Sequence, residues 1–214
     1  MRVRDIRTSM KTDKEKTIDT YNKIAPKYSK GHFVHFWTDE FEIYKSLIKG
    51  NKVLDIGCGA GRDASVFVEN GFDYTGIDAS EGMLNVASER VPTGKFQVMD
   101  FYKLNFPDNT FDGFWAAASF LHVPKKDVRK VISEAKRIIR PHAIGFISIK
   151  EKTDKDEQLI EENKYGGIAR YFAFYNQEEF KKILKDNGLE VIKMTSRVED
   201  DEIKTKWLCY FVKK

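Results

Sequence analysis

Gly57, Gly59 and Gly61 alternate with Cys58 and Ala60, directly behind the apolar run Val53-Leu54-Asp55-Ile56. Three glycines in five residues let a backbone turn sharply and approach a ligand closely, because no Cβ intervenes. Asp78 closes the next apolar run. Strand, glycine-rich turn, helix, strand and acid, in that order, hold a nucleoside at the edge of a parallel sheet. A dinucleotide turn wants Gly-x-Gly-x-x-Gly, but Arg62 stands where the third glycine belongs, and Gly61 comes one residue early. No Gly-Lys-Ser/Thr follows, which excludes a Walker phosphate loop. Asp55, just before the turn, repels a pyrophosphate and attracts an ammonium group. Asp78 is placed to accept from both hydroxyls of a ribose. The ligand these charges describe has a free 2′,3′-diol and an amino-acid tail.

Other residues offer chemistry to a second reactant. His122 follows the fourth apolar strand, and an imidazole there can take a proton from an oxygen or nitrogen nucleophile near neutral pH. Arg170 opens the run Arg170-Tyr171-Phe172-Ala173-Phe174-Tyr175, where a guanidinium can clamp a carboxylate through two parallel bonds. His32 and His35 stand in a linker with Phe33, Phe36 and Trp37 and are candidates to line a substrate pocket. No His, Asp or Glu spacing of metal-ligand type is present, so no metal site is expected.

The elements that must position these residues follow from periodicity. Ile18, Tyr21, Ala25 and Tyr28 form a helical stripe from Thr17 to Tyr28, which Pro26 should break or kink. Glu40 to Lys49 is a second helix, ended at Gly50. Alternation then begins. Lys52–Ile56, Tyr74–Ile77, Lys95–Met99, Phe111–Ala116 and Ala143–Lys150 read as strands. Helices are expected over Arg62–Asn70, from Ser80 onward with Met83, Leu84 and Ala87, and over Lys125–Arg140, where Pro141 ends the run. Glu151 to Gly167 breaks this rhythm and reads as an inserted loop or the base of a lid. Asn176 with Glu179 three residues on caps a helix over Gln177–Asn187, stopped by Gly188. Glu190–Thr195 and Thr205–Lys213, with a short polar turn between them, permit a hairpin whose last strand runs antiparallel. The expected fold is therefore α/β: a doubly wound, mostly parallel sheet with helices on both faces. Residues 1–50 are expected to form an N-terminal helical cap, and residues 51–214 the core, with an insert near 151–175.

Bulk properties set limits on this picture. The chain has 214 residues, 41% hydrophobic and 33% charged, with a formal net charge of +4. That suits one globular domain. No apolar run approaches the roughly 20 residues that span a bilayer, and the first residues lack an apolar signal core, so the expected compartment is the cytoplasm. With two cysteines, Cys58 and Cys209, a disulfide framework is not expected. The basic residues Arg2, Arg4, Arg7, Lys11, Lys14 and Lys16 alternate with acids and read as a solvated start.

The run VLDIGCGAG, followed by Asp78, resembles the first motif of class I S-adenosylmethionine-dependent methyltransferases, and the resemblance extends from about Tyr21 to the C-terminus. Tyr74–Ser80 (YTGIDAS) resembles the second motif, which implies that its acid binds the ribose. Val98–Phe101 (VMDF) resembles the third, which implies that Asp100 accepts from the adenine amino group and that the Phe101 backbone N–H faces the ring. Phe111–Val123 (FDGFWAAASFLHV) resembles the fourth strand and the loop beside the methyl donor. The resemblance implies a seven-stranded sheet with an antiparallel last strand, and S-adenosylmethionine as cofactor with S-adenosylhomocysteine as product. It also implies a donor site made by Asp55, Gly57, Cys58, Gly59, Arg62, Asp78, Ala79, Met83, Asp100, Phe101 and Ala117. Tyr21 and Tyr28 are expected to close over it, since aromatic faces suit a sulfonium. The implied reaction is methyl transfer to an O, N or S nucleophile of a small molecule, with His122 and Arg170 as the catalytic candidates. Two alternatives stay open. TYNKIAPKYS, over Thr20–Ser29, loosely resembles tRNA wobble-uridine modifiers, and a cofactor-binding module without catalysis would keep the same glycine turn.

Overall fold

The computed structural model describes residues 11–31, 36–162, 167–200 and 204–214. Apolar side chains at alternate positions of the central strands point to opposite faces, which demands cover on both sides. Leu54, Ile56, Phe114, Ala116, Ile147, Ile149, Leu208 and Tyr210 face one core. Val53, Trp115, Ala117, Phe146, Cys209 and Phe211 face the other. The strands are β1 (Lys52–Ile56), β2 (Asp73–Asp78), β3 (Lys95–Val98), β4 (Phe111–Ala117), β5 (Ile139–Lys150), β6 (Glu157–Glu162), β7 (Ile168–Ala173), β8 (Glu190–Val198) and β9 (Lys206–Lys213). Seven of them form one sheet in the order β3-β2-β1-β4-β5-β9-β8. β1 to β5 pair in parallel, and β9 lies antiparallel to β5 and β8. This is the expected doubly wound sheet with its antiparallel last strand.

The helices are α1 (Asp13–Gly31), α2 (Thr38–Leu47), α3 (Ala64–Glu69), α4 (Glu81–Arg90), α5 (Val128–Ile138) and α6 (Gln177–Asp186). α5 and α6 cover the first core: Val128, Val131, Ile132, Ala135, Ile138, Phe180 and Leu184 are buried there. α2 and α3 cover the second through Phe41, Tyr44, Ala64 and Phe67. α6 starts with the expected capping box, in which Asn176 accepts from the Glu179 N–H and the Glu179 side chain returns to the Asn176 N–H.

Three expectations are corrected. α1 does not end at Pro26 but runs on to Gly31. Proline lacks the N–H that would bond the Asn22 carbonyl, and that carbonyl instead abuts Gly82 of α4, where a Cβ would lie 2.8 Å from it. The segment after β5 is not a loop: β6 pairs antiparallel with β7 from Glu157↔Ala173 to Glu162↔Ile168 as a separate hairpin. Trp37 and α2, grouped by sequence with the N-terminal cap, belong to the second core instead, where the Trp37 ring lies 5.4 Å from Trp207 and 6.0 Å from Phe146. α1 alone of the N-terminal helices lies over the ends of the strands. Among the described residues no helix is long and apolar enough to cross a membrane.

Candidate active site

The sheet order reverses between β1 and β4, and ligands of open α/β sheets bind in the crevice at such a point, at the carboxyl ends of the strands. A cleft of about 1070 Å³, its open mouth included, lies there. Its walls hold Tyr21, Tyr28, Asp55, Gly57, Cys58, Gly59, Arg62, Asp78, Ala79, Met83, Asp100, Phe101, Ala117 and His122. All the donor-site candidates and one of the two catalytic candidates are thus brought to one cavity.

The glycine turn forms one wall. Gly57 (φ +77°) and Gly59 (φ +54°) occupy the left-handed region, which side chains with a Cβ rarely adopt. The N–H groups of Gly57 and Cys58 both donate to the Ile77 carbonyl, at 2.8 and 3.0 Å, and pin the turn to the end of β2. A Cβ on Gly59 would meet nothing within 4 Å, so the turn is open on that side. Asp78 Oδ2 accepts from the Gly59 N–H at 2.9 Å and Oδ1 from the Ser80 N–H at 2.8 Å. Burial raises the Asp78 pKa, while these backbone donors pull it back. A carboxylate has about four lone-pair sites, so both oxygens retain capacity for a diol.

Asp55 is 2% exposed and accepts from the Tyr74 hydroxyl at 2.8 Å. Burial, reinforced by neighbouring Asp63, pushes its pKa well above the usual carboxylate range. Arg62 grips Asp63 with two bonds of 2.8 Å, and Trp115 Nε1 donates to the same carboxylate at 3.0 Å. Burial also pushes up the Cys58 thiol, which makes it a packing group rather than a nucleophile.

At the far end, Asp100 Oδ1 accepts from the Tyr102 N–H at 3.0 Å, and Oδ2 is held by Lys14 of α1. The Lys14 ammonium lies 4.2 Å from the centre of the Tyr102 ring. Lys14 is therefore part of the cleft, not of a solvated start. Met83 is buried with Ile24, Ala25 and Ala60 between α4 and α1. Phe101 packs toward Phe120, ring centres 6.2 Å apart.

α1 closes the cleft. Asn22 Oδ1 accepts from the Ser80 hydroxyl at 2.8 Å and from the Gly82 N–H at 2.9 Å, so α1 supplies a cap to the start of α4. On the other side, Tyr21 meets His122 and Arg170. His122 Nδ1 lies 2.7 Å from the Tyr171 carbonyl, and its Nε2 2.8 Å from the Tyr21 hydroxyl. A carbonyl only accepts, so Nδ1 carries the proton and Nε2 accepts from Tyr21. Arg170 Nη1 donates to the Tyr21 oxygen at 2.6 Å, and its guanidinium lies 5.1, 5.7 and 5.1 Å from the rings of Tyr21, Tyr28 and Phe172. Burial and the Arg170 charge draw the His122 pKa down to about 3. The imidazole is therefore neutral, with both nitrogens engaged, and it orients Tyr21. Arg170 reaches the cleft through Tyr21 rather than lining it. His32, Phe33 and His35 lie outside the described residues. Lys14, Ile18, Tyr102 and Ser119 also line the cleft, and sequence reasoning passed over them.

Comparison with known proteins agrees with this geometry. A family described as "Methyltransferase domain" matches residues 53–142. A 2-methyl-6-phytyl-1,4-hydroquinone methyltransferase of Synechocystis is 32% identical over 136 residues, covering 62% of this chain and 41% of that protein. The chain spans about half the length of the curated relatives it matches. Among solved structures, a 1,6-didemethyltoxoflavin-N1-methyltransferase of Burkholderia thailandensis, with S-adenosylhomocysteine bound, superposes with a TM-score of 0.69 at 18% identity, covering 98% of this chain and 93% of that one. The [4+2]-cyclase SpnF superposes at 0.74 and 17% identity, covering 95% and 96%. Residues 53–142, which hold the glycine turn and both acids, thus match a methyltransferase domain, and the whole sheet has the fold of solved S-adenosylmethionine-dependent methyltransferases.

Proposed function

We propose that this protein transfers a methyl group from S-adenosylmethionine to a small-molecule acceptor. The observation that carries this reading is Asp78: a buried carboxylate, bonded to the glycine turn and facing an open cleft, with lone pairs to spare for a ribose diol. The site also fits the rest of such a donor. Asp55 suits its ammonium, and Asp100, Phe101 and Met83 form a slot of one acid and apolar surface that suits its adenine. When bound, S-adenosylmethionine supplies an electrophilic methyl group on a sulfonium that is its own leaving group.

The chain's residues then have positioning to do. Asp78 and the turn fix the nucleoside, α1 excludes water, and Tyr21 and Tyr28 present aromatic surface and one hydroxyl to the reacting end. A neutral imidazole with pKa of about 3 is a weak base. That favours acceptors that arrive ionised, or that lose their proton to solvent, over acceptors needing a strong enzymic base. A small acceptor is supported by the closure of the cleft by α1. The SpnF likeness keeps in view that this fold also serves a cyclase.

Titration calorimetry tests the donor reading. S-adenosylmethionine and S-adenosylhomocysteine should bind and NAD should not. Asp78→Ala should weaken both sulfur nucleosides by about 3 kcal/mol, through lost hydrogen bonds to a charged group. Binding of NAD alone would sink the reading. Methyl transfer to a metabolite panel rather than to tRNA is the expected outcome of an activity screen, and transfer to tRNA would overturn the small-molecule assignment.

A further inference from the structure

A second cavity, of about 430 Å³ with its open mouth included, lies on the far side of Asp63 from the cleft. Asp63 lines both cavities and stands between them. The volume is that of a small-molecule site. Trp37, Phe41 and Trp115, which are 2%, 5% and 1% exposed, and Val66 of α3 give it apolar walls. Glu42 of α2 is exposed and stands at its solvent side.

The two indoles of the wall differ. Trp115 Nε1 donates to Asp63 at 3.0 Å. Trp37 Nε1 is buried and has no hydrogen-bond partner among the described residues. A buried indole N–H nearly always finds a partner, because leaving it without one is unfavourable. The Trp37 ring is not free to turn toward one. Phe36, Trp207 and Phe146 hold it edge to face, with ring centres 4.6, 5.4 and 6.0 Å away, and the Arg62 guanidinium lies 5.9 Å from its centre.

These walls select among ligands. The aromatic surfaces suit a ring, and an N–H in want of a partner suits a carbonyl oxygen. Among the described residues that line the cavity are two acids, Asp63 and Glu42, and no cation, which disfavours an anion. Arg62 already matches the charge of Asp63 through two bonds of 2.8 Å, so a cation is not called for. We propose that this cavity binds a neutral, ring-sized aromatic carbonyl compound, whose oxygen accepts from Trp37 Nε1. The site is separate from the donor cleft and does not depend on what that cleft binds.

Acetophenone is a probe of this class. α-Methylstyrene has the same shape with a methylene in place of the oxygen, and benzoate is the corresponding anion. The chain has three tryptophans, Trp37, Trp115 and Trp207, so three indole N–H signals report binding by heteronuclear NMR. Loss of one signal in Trp37→Phe identifies the first. Acetophenone should move the Trp37 signal in a saturable manner. α-Methylstyrene should bind about fivefold more weakly, the effect of one neutral hydrogen bond, and benzoate more weakly still. In Trp37→Phe, followed by the Trp115 signal, acetophenone and α-methylstyrene should bind alike. Val66→Trp, which fills the cavity from α3, should remove the Trp37 response. A Trp37 signal that does not move, equal binding of acetophenone and α-methylstyrene to the unmutated protein, or tightest binding by benzoate overturns the proposal. So does a response that survives Val66→Trp. Should either variant lower the melting temperature, the comparison of the three probes on the unmutated protein decides.

Discussion

Asp55 shows how a single buried acid can tie ligand binding to pH. Its carboxylate is buried on β1 with Asp63 close by, so its pKa lies well above the usual range. Burial thereby favours its protonated form in the free protein. A cation held beside Asp55 favours the ionised form and lowers that pKa again. The sign follows from linkage: binding must release protons and tighten as pH rises through the free-state pKa of Asp55. Calorimetry with S-adenosylhomocysteine at pH 6, where the ligand's own amine is charged, should show proton release in buffers of different ionisation enthalpy. Asp55→Asn should abolish it. Absence of release from the unmutated protein would show that the ammonium does not sit at Asp55. Residues of this sort differ in how openly the sequence displays them. Asp55, Asp78 and the glycines are legible because each has few uses at that spacing. Ser119 and Lys14 are not, because only the fold sets one against Gly57 and the other against Asp100.

Among the elements, α1 shows how docking overrides local preference. A proline inside a helix is unfavourable by about 3 kcal/mol, yet α1 continues past Pro26 because its freed Asn22 carbonyl and the Asn22 side chain both settle on the start of α4. The seam depends on Gly82. A Cβ there would lie 2.8 Å from the Asn22 carbonyl oxygen and 3.0 Å from Asn22 Cα, both of them backbone atoms that cannot swing aside. Gly82→Val should therefore lift α1 without disturbing the sheet. Trypsin should cut faster at Lys23 and Lys27, and S-adenosylhomocysteine should bind about tenfold more weakly, with the melting temperature of the core little changed. Unaltered cleavage and affinity would mean that α1 does not seal the cleft. The same contrast explains which elements the sequence discloses. β1 spans the expected Lys52–Ile56 because an apolar run between turns has one reading, and α6 starts at its capping box because that signal is local. The β6–β7 hairpin stayed hidden. Glu157–Glu162 carries three acids and little alternation, and its place is fixed by pairing with β7, on which α1 packs.

At the scale of the whole molecule, α1 joins two units that the sheet does not connect directly. On the donor side it bonds to Ser80, Gly82 and Asp100. On the other side the Tyr171 N–H donates to Thr17 Oγ1 at 3.0 Å, Thr20 Oγ1 donates to the Ala169 carbonyl at 2.8 Å, and Arg170 donates to Tyr21. A ligand that steadies α1 over the cleft must then also steady β7, although no β7 residue lines that cleft. Local opening follows the least stable contacts, and binding that suppresses opening in one element suppresses it in elements bonded to it. Saturating S-adenosylhomocysteine should therefore slow amide exchange in residues 13–31 and in 168–173 together. Combining Thr17→Val with Tyr21→Phe removes two of the three cross-links while keeping side-chain volume, and it should preserve the protection of α1 while moving β7 back toward its unliganded rate. Protection confined to α1 in the unmutated protein would show that the hairpin moves independently. Protection of both in the double variant would place the coupling in the sheet rather than in α1. The expected pattern makes α1 the strap through which a bound donor organises the side of the cleft where Tyr21, His122 and Arg170 meet.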